Sequence, residues 1–528
     1  MPKPIQPSTY TFPDLIKGGF LYIDKTRHLY ELIRGGKGIF FLARPRRFGK
    51  SLLISTLETI FHGHRHLFQG LWIATSDYEW PVHPVIRIDF GRMQVSSADE
   101  LKAGIERYLR QIARQHAVTL GDGPYYALLE ELILALAAEK QVVILIDEYD
   151  KPLTDNLTNL AEAEKIRDVL RGFYTLIKSM DAYLRFVFIT GISRFSKVGL
   201  FSAMNNLTDI TMTPRFATLL GLTEDEVRRD LQEQIAAFAD ETGMTEGEML
   251  EKMRYWYNGF CFAADSPNVY NPFSTLQLFY NRRFANYWFD SGTPTFLIKL
   301  IKERQIDITS FAALEVPELV FSTYEIARLD LIPLLFQTGY LTIKESRQDP
   351  FGTIFTLSYP NREVENAFLS YLLSAYDETE LAFSQSHLRR LYYALDKGDL
   401  SEFFAVLELF FANIDPSINS GHRYDLQVNQ EKYYQTIFYL IFLLLGVHVT
   451  AEVKTNRGRI DTVIEVGDRV FLFEFKLDGS AEEALAQIRQ HAYYQKYRKP
   501  GKTVTLVGVS FDSAKRTISD WQSDIDQS

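Results

Sequence analysis

Cysteine is nearly absent from this chain. Cys261 stands alone among 528 residues, which excludes an intrachain disulfide and a cysteine-built metal centre and fits a small buried thiol in a reducing cytosol. Long apolar runs are missing too: the longest, Ile437 to Leu445, is too short to span a bilayer. No leader-like order of basic, apolar and small residues opens the sequence, and Pro2, Pro4, Pro7 and Pro13 favour an extended lead-in. We therefore expect a cytoplasmic protein with no membrane partner. Positive charge is not in excess either. A balance of −10 removes whole-molecule attraction to nucleic acid as an argument, while a local basic groove can coexist with it. No disorder-sized tract occurs: 46% apolar and 23% charged residues are values of a folded globular chain, and the length suits three domains.

What is present is a stretch that organises the rest, Phe40-Phe41-Leu42-Ala43-Arg44-Pro45-Arg46-Arg47-Phe48-Gly49-Lys50-Ser51. The apolar run Ile39 to Ala43 enters it as a buried strand would, and the helical pattern of Leu52, Leu53, Ser55, Thr56 and Leu57 leaves it. Strand, tight loop and helix make the context in which backbone N–H groups and a positive helix end hold phosphates. The usual first glycine, six residues before the lysine, is Arg44 here. At this spacing Lys50 would reach terminal phosphates, Ser51 would ligate Mg²⁺, and Gly49 lets the backbone approach. Arg46 and Arg47 add positive charge that faces phosphate, a neighbouring subunit or solvent.

About a hundred residues later, Val142 to Ile146 forms an unbroken apolar strand that delivers Asp147 and Glu148 at its end. Asp147 is placed to hold the metal through its water shell, and Glu148 to orient or deprotonate an attacking water. Ser193 and Arg194, after the strand Leu184 to Ile189, are candidates for sensing the terminal phosphate. The competing reading is an inactive nucleotide fold whose loop persists for packing. The strands at Pro84 to Phe90, Val142 to Asp147 and Leu184 to Ile189 alternate with helical stretches at Ala98 to Ala138 and Ala161 to Lys178. That alternation predicts a parallel sheet covered on both faces, with ligands beyond its carboxyl ends.

Thr223 to Tyr257 reads as helical. Leu331 to Leu335, Gly339 to Ile343 and Thr353 to Leu357 look like a helix feeding a two-stranded wing. Such a winged-helix-like module binds DNA or acts as a lid; with Arg328 the one basic residue in the recognition stretch Ile326 to Leu334, the lid is favoured. Asn361 to Phe411 is a helical connector. A last unit reads helix (Gln430 to Leu445), strand (Val447 to Val453), strand (Arg459 to Val466), strand (Arg469 to Phe475), helix (Ala481 to Lys496), strand (Thr503 to Phe511). Hairpin pairing there would bring Asp461 and Glu474 together, and alternation puts Glu474 and Lys476 on one face. Two carboxylates and a lysine so arranged can hold Mg²⁺ and activate water against a phosphodiester. Glu431, early in the preceding helix, is a third acidic candidate. A cross-strand charge pair on a solvated face is the plain alternative.

Tyr22-Ile23-Asp24-Lys25-Thr26, the loop from Arg44 to Ser51, Ile146-Asp147-Glu148-Tyr149-Asp150-Lys151-Pro152, Thr190-Gly191-Ile192-Ser193, Trp256-Tyr257-Asn258-Gly259 and Tyr270-Asn271-Pro272 together resemble the bacterial AAA-ATPase-like family. Its members often carry a C-terminal nuclease-like domain of the PD-(D/E)XK superfamily. The resemblance implies that arginine at position 44 is the family's rule, that ATP is the nucleotide, and that Asp461 and Glu474 take a metal, Mg²⁺ or Mn²⁺, with Lys476 on water or phosphate. It also matches Gln487 and Tyr494 to positions of polar support. The expected class is α/β: a P-loop NTPase parallel sheet covered by helices (1–215), a helical and winged-helix-like middle region (216–360), a helical connector (361–420) and a C-terminal α/β restriction-endonuclease-like domain (421–528). The expected activity is ATP hydrolysis coupled to DNA cleavage, with DNA as partner and a homo-oligomer as one form. A nucleotide-switched binding protein whose last domain does not cut is the other reading.

Overall fold

Five strands from the first half of the chain pair into one parallel sheet in the computed structural model. They are β1 (Gly38–Ala43), β2 (Val85–Asp89), β3 (Val142–Asp147), β4 (Leu184–Gly191) and β5 (Leu207–Asp209), in the order β2-β3-β4-β1-β5, and every pairing is parallel. All of β3 is buried. That is why its sequence is unbroken Val-Val-Ile-Leu-Ile up to Asp147, with no polar alternation. Leu101 and Ile105 of helix Ala98–Gln115, Leu129 of helix Tyr125–Ala137 and Leu170 of helix Leu160–Ser179 share one core with Ile86, Ile144 and Ile146. Each such side chain contributes roughly 1.5–3 kcal/mol on burial. The chain leaves β1 for β2 at the far edge, so a crevice forms at the carboxyl end of β1. The helix Lys50–Phe61 begins there.

The structure describes residues 3–526 apart from 158, 195–203, 289–296, 299, 302–307, 309–310, 312, 322–330, 378–380, 413–436, 438–439, 446–447, 456–457, 492, 499, 513–514 and 516. The chain divides into two units, residues 1–291 with 311–365, and residues 292–310 with 366–528. Within the first, helices Glu224–Asp230, Gln232–Thr242 and Glu246–Tyr257 build a second core around Val227, Ile235, Phe238 and Met253. Two of them start at full capping boxes, Thr223 with Glu226 and Thr245 with Glu248. The expected two-stranded wing has a third strand: β6 (Leu314–Pro317), β7 (Thr342–Asp349) and β8 (Gly352–Ser358) form an antiparallel sheet in the order β6-β8-β7. β6 is a four-residue edge strand ending in proline, which an edge tolerates. Most of the expected recognition stretch, 326–330, lies outside the described residues.

In the second unit, β9 (His448–Thr455), β10 (Gly458–Val466), β11 (Arg469–Leu477), β12 (Thr503–Asp512) and β13 (Thr517–Asp526) form a mixed sheet in the order β13-β12-β11-β10-β9. Only the central pair, β11 with β12, is parallel among its described pairings. Helix Ala481–His491 makes that crossover. It packs so closely that a Cβ at Gly508 would stand 2.2 Å from the carbonyl oxygen of Ala481, so β12 needs glycine there. Among the described residues no helix is long and apolar enough to cross a membrane.

Candidate functional site

The loop 44–51 borders a cavity of about 690 Å³ lined by Arg46, Arg47, Phe48, Gly49, Lys50 and Ser51. Leu21, Tyr22 and Ile23, from the segment before β1, form part of the same wall, as do Pro272, Phe273 and Leu276. Arg44 and Pro45 are not in this lining. Arg44 is 1% exposed; its guanidinium donates to the carbonyls of Ala43, Thr211 and Phe216 and lies 4.2 Å from the Phe262 ring centre. Burial pulls its pKa down to about 9, which still leaves it cationic at neutral pH. The residue in place of the usual glycine is thus an internal brace. Phe48 is a second anchor, buried edge-on against Phe260 and Phe262. Between these anchors Arg46 and Arg47 are exposed.

Lys50 is buried, and its ammonium donates to the carbonyls of Arg44 and Pro45 at 3.0 and 2.9 Å. Burial lowers its pKa, against the pull of Asp147, Glu148 and Asp150. Asp147 is also buried. Its Oδ1 accepts from Thr190 Oγ1–H at 2.7 Å and from the Glu148 N–H at 3.1 Å, while Oδ2 makes no hydrogen bond among the described residues. A buried carboxylate oxygen in that condition is unfavourable unless a cation or its water shell reaches it. Asp147 therefore fits a cation such as Mg²⁺, and Ser51 lines the cavity that Glu148 also lines. Among the described residues no three His, Cys, Asp or Glu side chains converge to cage a metal alone. Glu148 leaves β3 in the left-handed region at φ +51°. Burial, then the charge of Asp147, pushes its carboxyl above the usual range, the direction expected of a group that takes up a proton near neutral pH.

In the second unit, Glu474 is buried on β11. Its Oε1 accepts from Gln487 Nε2–H, and Gln487 Oε1 accepts from the Lys476 ammonium, which stands 3.7 Å from Glu474 Oε1. Helix Ala481–His491 thus brings Gln487 to both residues. Asp461 lies on β10 beside Thr462, which pairs with Phe473, the residue before Glu474. Glu431 lies outside the described residues. Tyr494 packs against the core of this sheet and under Arg498.

Residues 7–201 match the AAA-ATPase-like family, described as Predicted AAA-ATPase, and residues 429–521 match the PD-(D/E)XK nuclease superfamily. An uncharacterized protein in the vnfD 5′ region of Azotobacter chroococcum mcd 1 is 37% identical over 514 residues, covering 96% of each chain. The chain belongs to the AAA-ATPase-like family. Its C-terminal domain is of the PD-(D/E)XK nuclease superfamily. The solved structure of the Aeropyrum pernix ORC2 protein, as ADPNP–ADP complexes, shares 12% identity over 66% of this chain and 92% of that chain at a TM-score of 0.25, too slight a likeness to support fold or function.

Two residues of this AAA-ATPase-like protein's cavity were not singled out by the sequence, Asp89 and Gly91. Asp89 pairs in register with Asp147, and burial followed by Asp147 raises its pKa. The signal was there: β2 ends, like β3, in an acid at the carboxyl edge. Ser193 and Arg194, the candidates for sensing the terminal phosphate, are not in the cavity lining. Ser193 is buried, with its N–H and Oγ–H both donating to Asp150 Oδ2 at 2.7 Å. Arg194 pairs with Asp209, and its N–H donates to Gln337 Oε1.

Proposed function

We propose that this protein binds and hydrolyses ATP at the loop 44–51 and couples nucleotide state to metal-dependent DNA cleavage by its C-terminal domain. The observation that carries this reading is Asp147, buried at the tip of β3 with one oxygen held by Thr190 and the other unsatisfied among the described residues. Ser51 and Asp147 would hold Mg²⁺, which when bound neutralises charge on the phosphates. Lys50 exchanges its two loop carbonyls for terminal phosphate oxygens, and Glu148 takes the proton of the attacking water. In the C-terminal domain Asp461, Glu474 and Glu431 would hold Mg²⁺ or Mn²⁺. Lys476 orients water or phosphate, and Gln487 fixes Glu474 and Lys476 relative to each other. The functional parts follow 1–215, 216–360, 361–420 and 421–528, in a cytoplasmic protein that works alone or as a homo-oligomer.

A second reading, a nucleotide-switched binder that does not cut, draws on Lys476 itself: its ammonium lies 3.7 Å from Glu474 Oε1, where it offsets the carboxylate's charge without a metal. The two are separated by incubating the full chain with linear, circular and single-stranded DNA, with Mg²⁺ or Mn²⁺, with and without ATP. Cleavage lost in Asp461→Ala and Lys476→Ala, and ATP turnover lost in Lys50→Ala, support the first reading. ATP-dependent DNA binding with no Asp461-dependent cleavage supports the second.

A further inference from the structure

The ATP reading gives Arg47 no defined task and does not explain Phe273 in the cavity wall. Arg47 sits at φ +64°, a region that non-glycine residues occupy only under constraint. Its guanidinium lies 4.6 Å from the centre of the Phe273 ring, and both residues line the cavity that holds Lys50. Among the described residues no carboxylate is in ion-pair contact with Arg47. The backbone beneath this contact is tied down on its buried side. The Arg46 carbonyl accepts from Trp288 Nε1–H at 2.9 Å, the Trp288 N–H donates to Glu363 Oε1 at 2.8 Å, and Ser274 Oγ–H, next to Phe273, donates to the same oxygen at 3.0 Å. Loop and helix Pro272–Asn281 are thereby cross-braced, and the part left to move is the exposed guanidinium.

A cation on an aromatic face is weakly held at an exposed site, whereas a guanidinium paired with phosphate makes two charge-assisted hydrogen bonds. We propose that Phe273 and phosphate compete for Arg47: the guanidinium partitions between the ring and the terminal phosphate of a nucleoside triphosphate, so that the pair senses the nucleotide. This rests on the ATP reading above.

The test is calorimetric titration of the full-length protein with ATP and ADP. Arg47→Gly, whose residue suits the positive φ, is expected to weaken ATP binding about tenfold more than ADP binding. Phe273→Leu removes the competing ring and is expected to tighten ATP binding about two- to fivefold, a gain that vanishes when combined with Arg47→Gly. Unchanged ATP affinity in Arg47→Gly overturns the proposal. So does a Phe273→Leu change that weakens ATP binding equally with or without Arg47. If Lys50→Ala abolishes ATP binding while Arg47→Gly leaves it intact, the competition alone falls. If the parent, folded by circular dichroism, binds no nucleotide, the ATP reading falls and the competition with it.

Discussion

Gly91→Ala is the sharpest probe of Glu148. The glycine follows β2, and its N–H donates to Asp89 Oδ1 at 2.9 Å. A Cβ there would stand 2.3 Å from Glu148 Oε2 and 2.9 Å from Asp89 Oδ1. Gly91 is not in the left-handed region, so alanine strains no backbone, and such a change gains about 0.4–1 kcal/mol through the unfolded chain. The closest atom is the far end of a flexible side chain, which moves aside for roughly 0.5–1.5 kcal/mol of rotamer strain. Asp89 Oδ1, at 2.9 Å, must also give by a few tenths of an ångström, so the net change is a small loss and the melting temperature should fall by only a few degrees. Function is less forgiving. Carbon and oxygen approach comfortably only at about 3.3 Å, so the carboxylate must retreat by about 1 Å, a misplacement that lowers a catalysed rate about 10²-fold. We expect ATP turnover to drop by about two orders of magnitude, with ATP affinity unchanged because Lys50 and its loop are untouched. Steady-state phosphate release, equilibrium ATP binding and a thermal melt on the parent, Gly91→Ala and Glu148→Gln decide it. Undiminished turnover in a folded Gly91→Ala refutes the role given to Glu148. Turnover and binding lost in parallel would mean that Gly91 supports the cavity and not the base.

Thr190→Val removes the 2.7 Å hydrogen bond to Asp147; unfolding in urea should show a loss of about 1–3 kcal/mol, and turnover should need more Mg²⁺ to saturate. Glu148 and Asp89 both have carboxyls pushed up by burial and by Asp147, so the folded state holds their protons more tightly than the unfolded chain. Their stabilising share is complete below the ordinary carboxylate range and is lost as pH rises through the raised values; Glu148→Gln should flatten that fall in melting temperature measured against pH. Gln487→Leu strips the shared amide from Glu474 and Lys476. It should lower urea stability by about 1–3 kcal/mol and suppress any DNA cleavage in a gel assay.

The parallel sheet is legible in the sequence because burial on both faces leaves unbroken apolar runs, as in β3, and helical stretches separate them. β5 and β13 escape that signal for opposite reasons. Leu207–Asp209 is three residues long, and its strand pairing comes from distant residues, Ile39 to Phe41. Thr517–Asp526 is a largely exposed polar edge whose Ser and Asp residues read as loop. The candidate site is legible as residue types, through Lys50, Ser51, Asp147 and Glu148, but side-chain direction is not. Arg44 has the charge of a phosphate ligand, and its inward turn depends on Thr211, Phe216 and Phe262, all more than 160 residues away. Gln487 likewise gains meaning only when Gly508 lets its helix close on the sheet.

The strained backbone bears on the choice between a nucleotide site and a loop kept for packing. Arg47 and Glu148 both take left-handed φ and both line one cavity, each at a penalty of roughly 1–2 kcal/mol relative to glycine. Glycine is available to this loop, since Gly49, two residues on, uses it at φ +92°. Arg47 is exposed, and its contact with the Phe273 ring, worth about 0.5–1 kcal/mol at an exposed site, offsets the strain only in part, while Glu148 adds a carboxylate that burial disfavours. Packing alone therefore explains neither residue. Under the proposed function a triphosphate with its metal would account for both: phosphate would attract the arginine, a cation would meet the Asp147 oxygen that is unsatisfied among the described residues, and Glu148 would serve as the base for the attacking water.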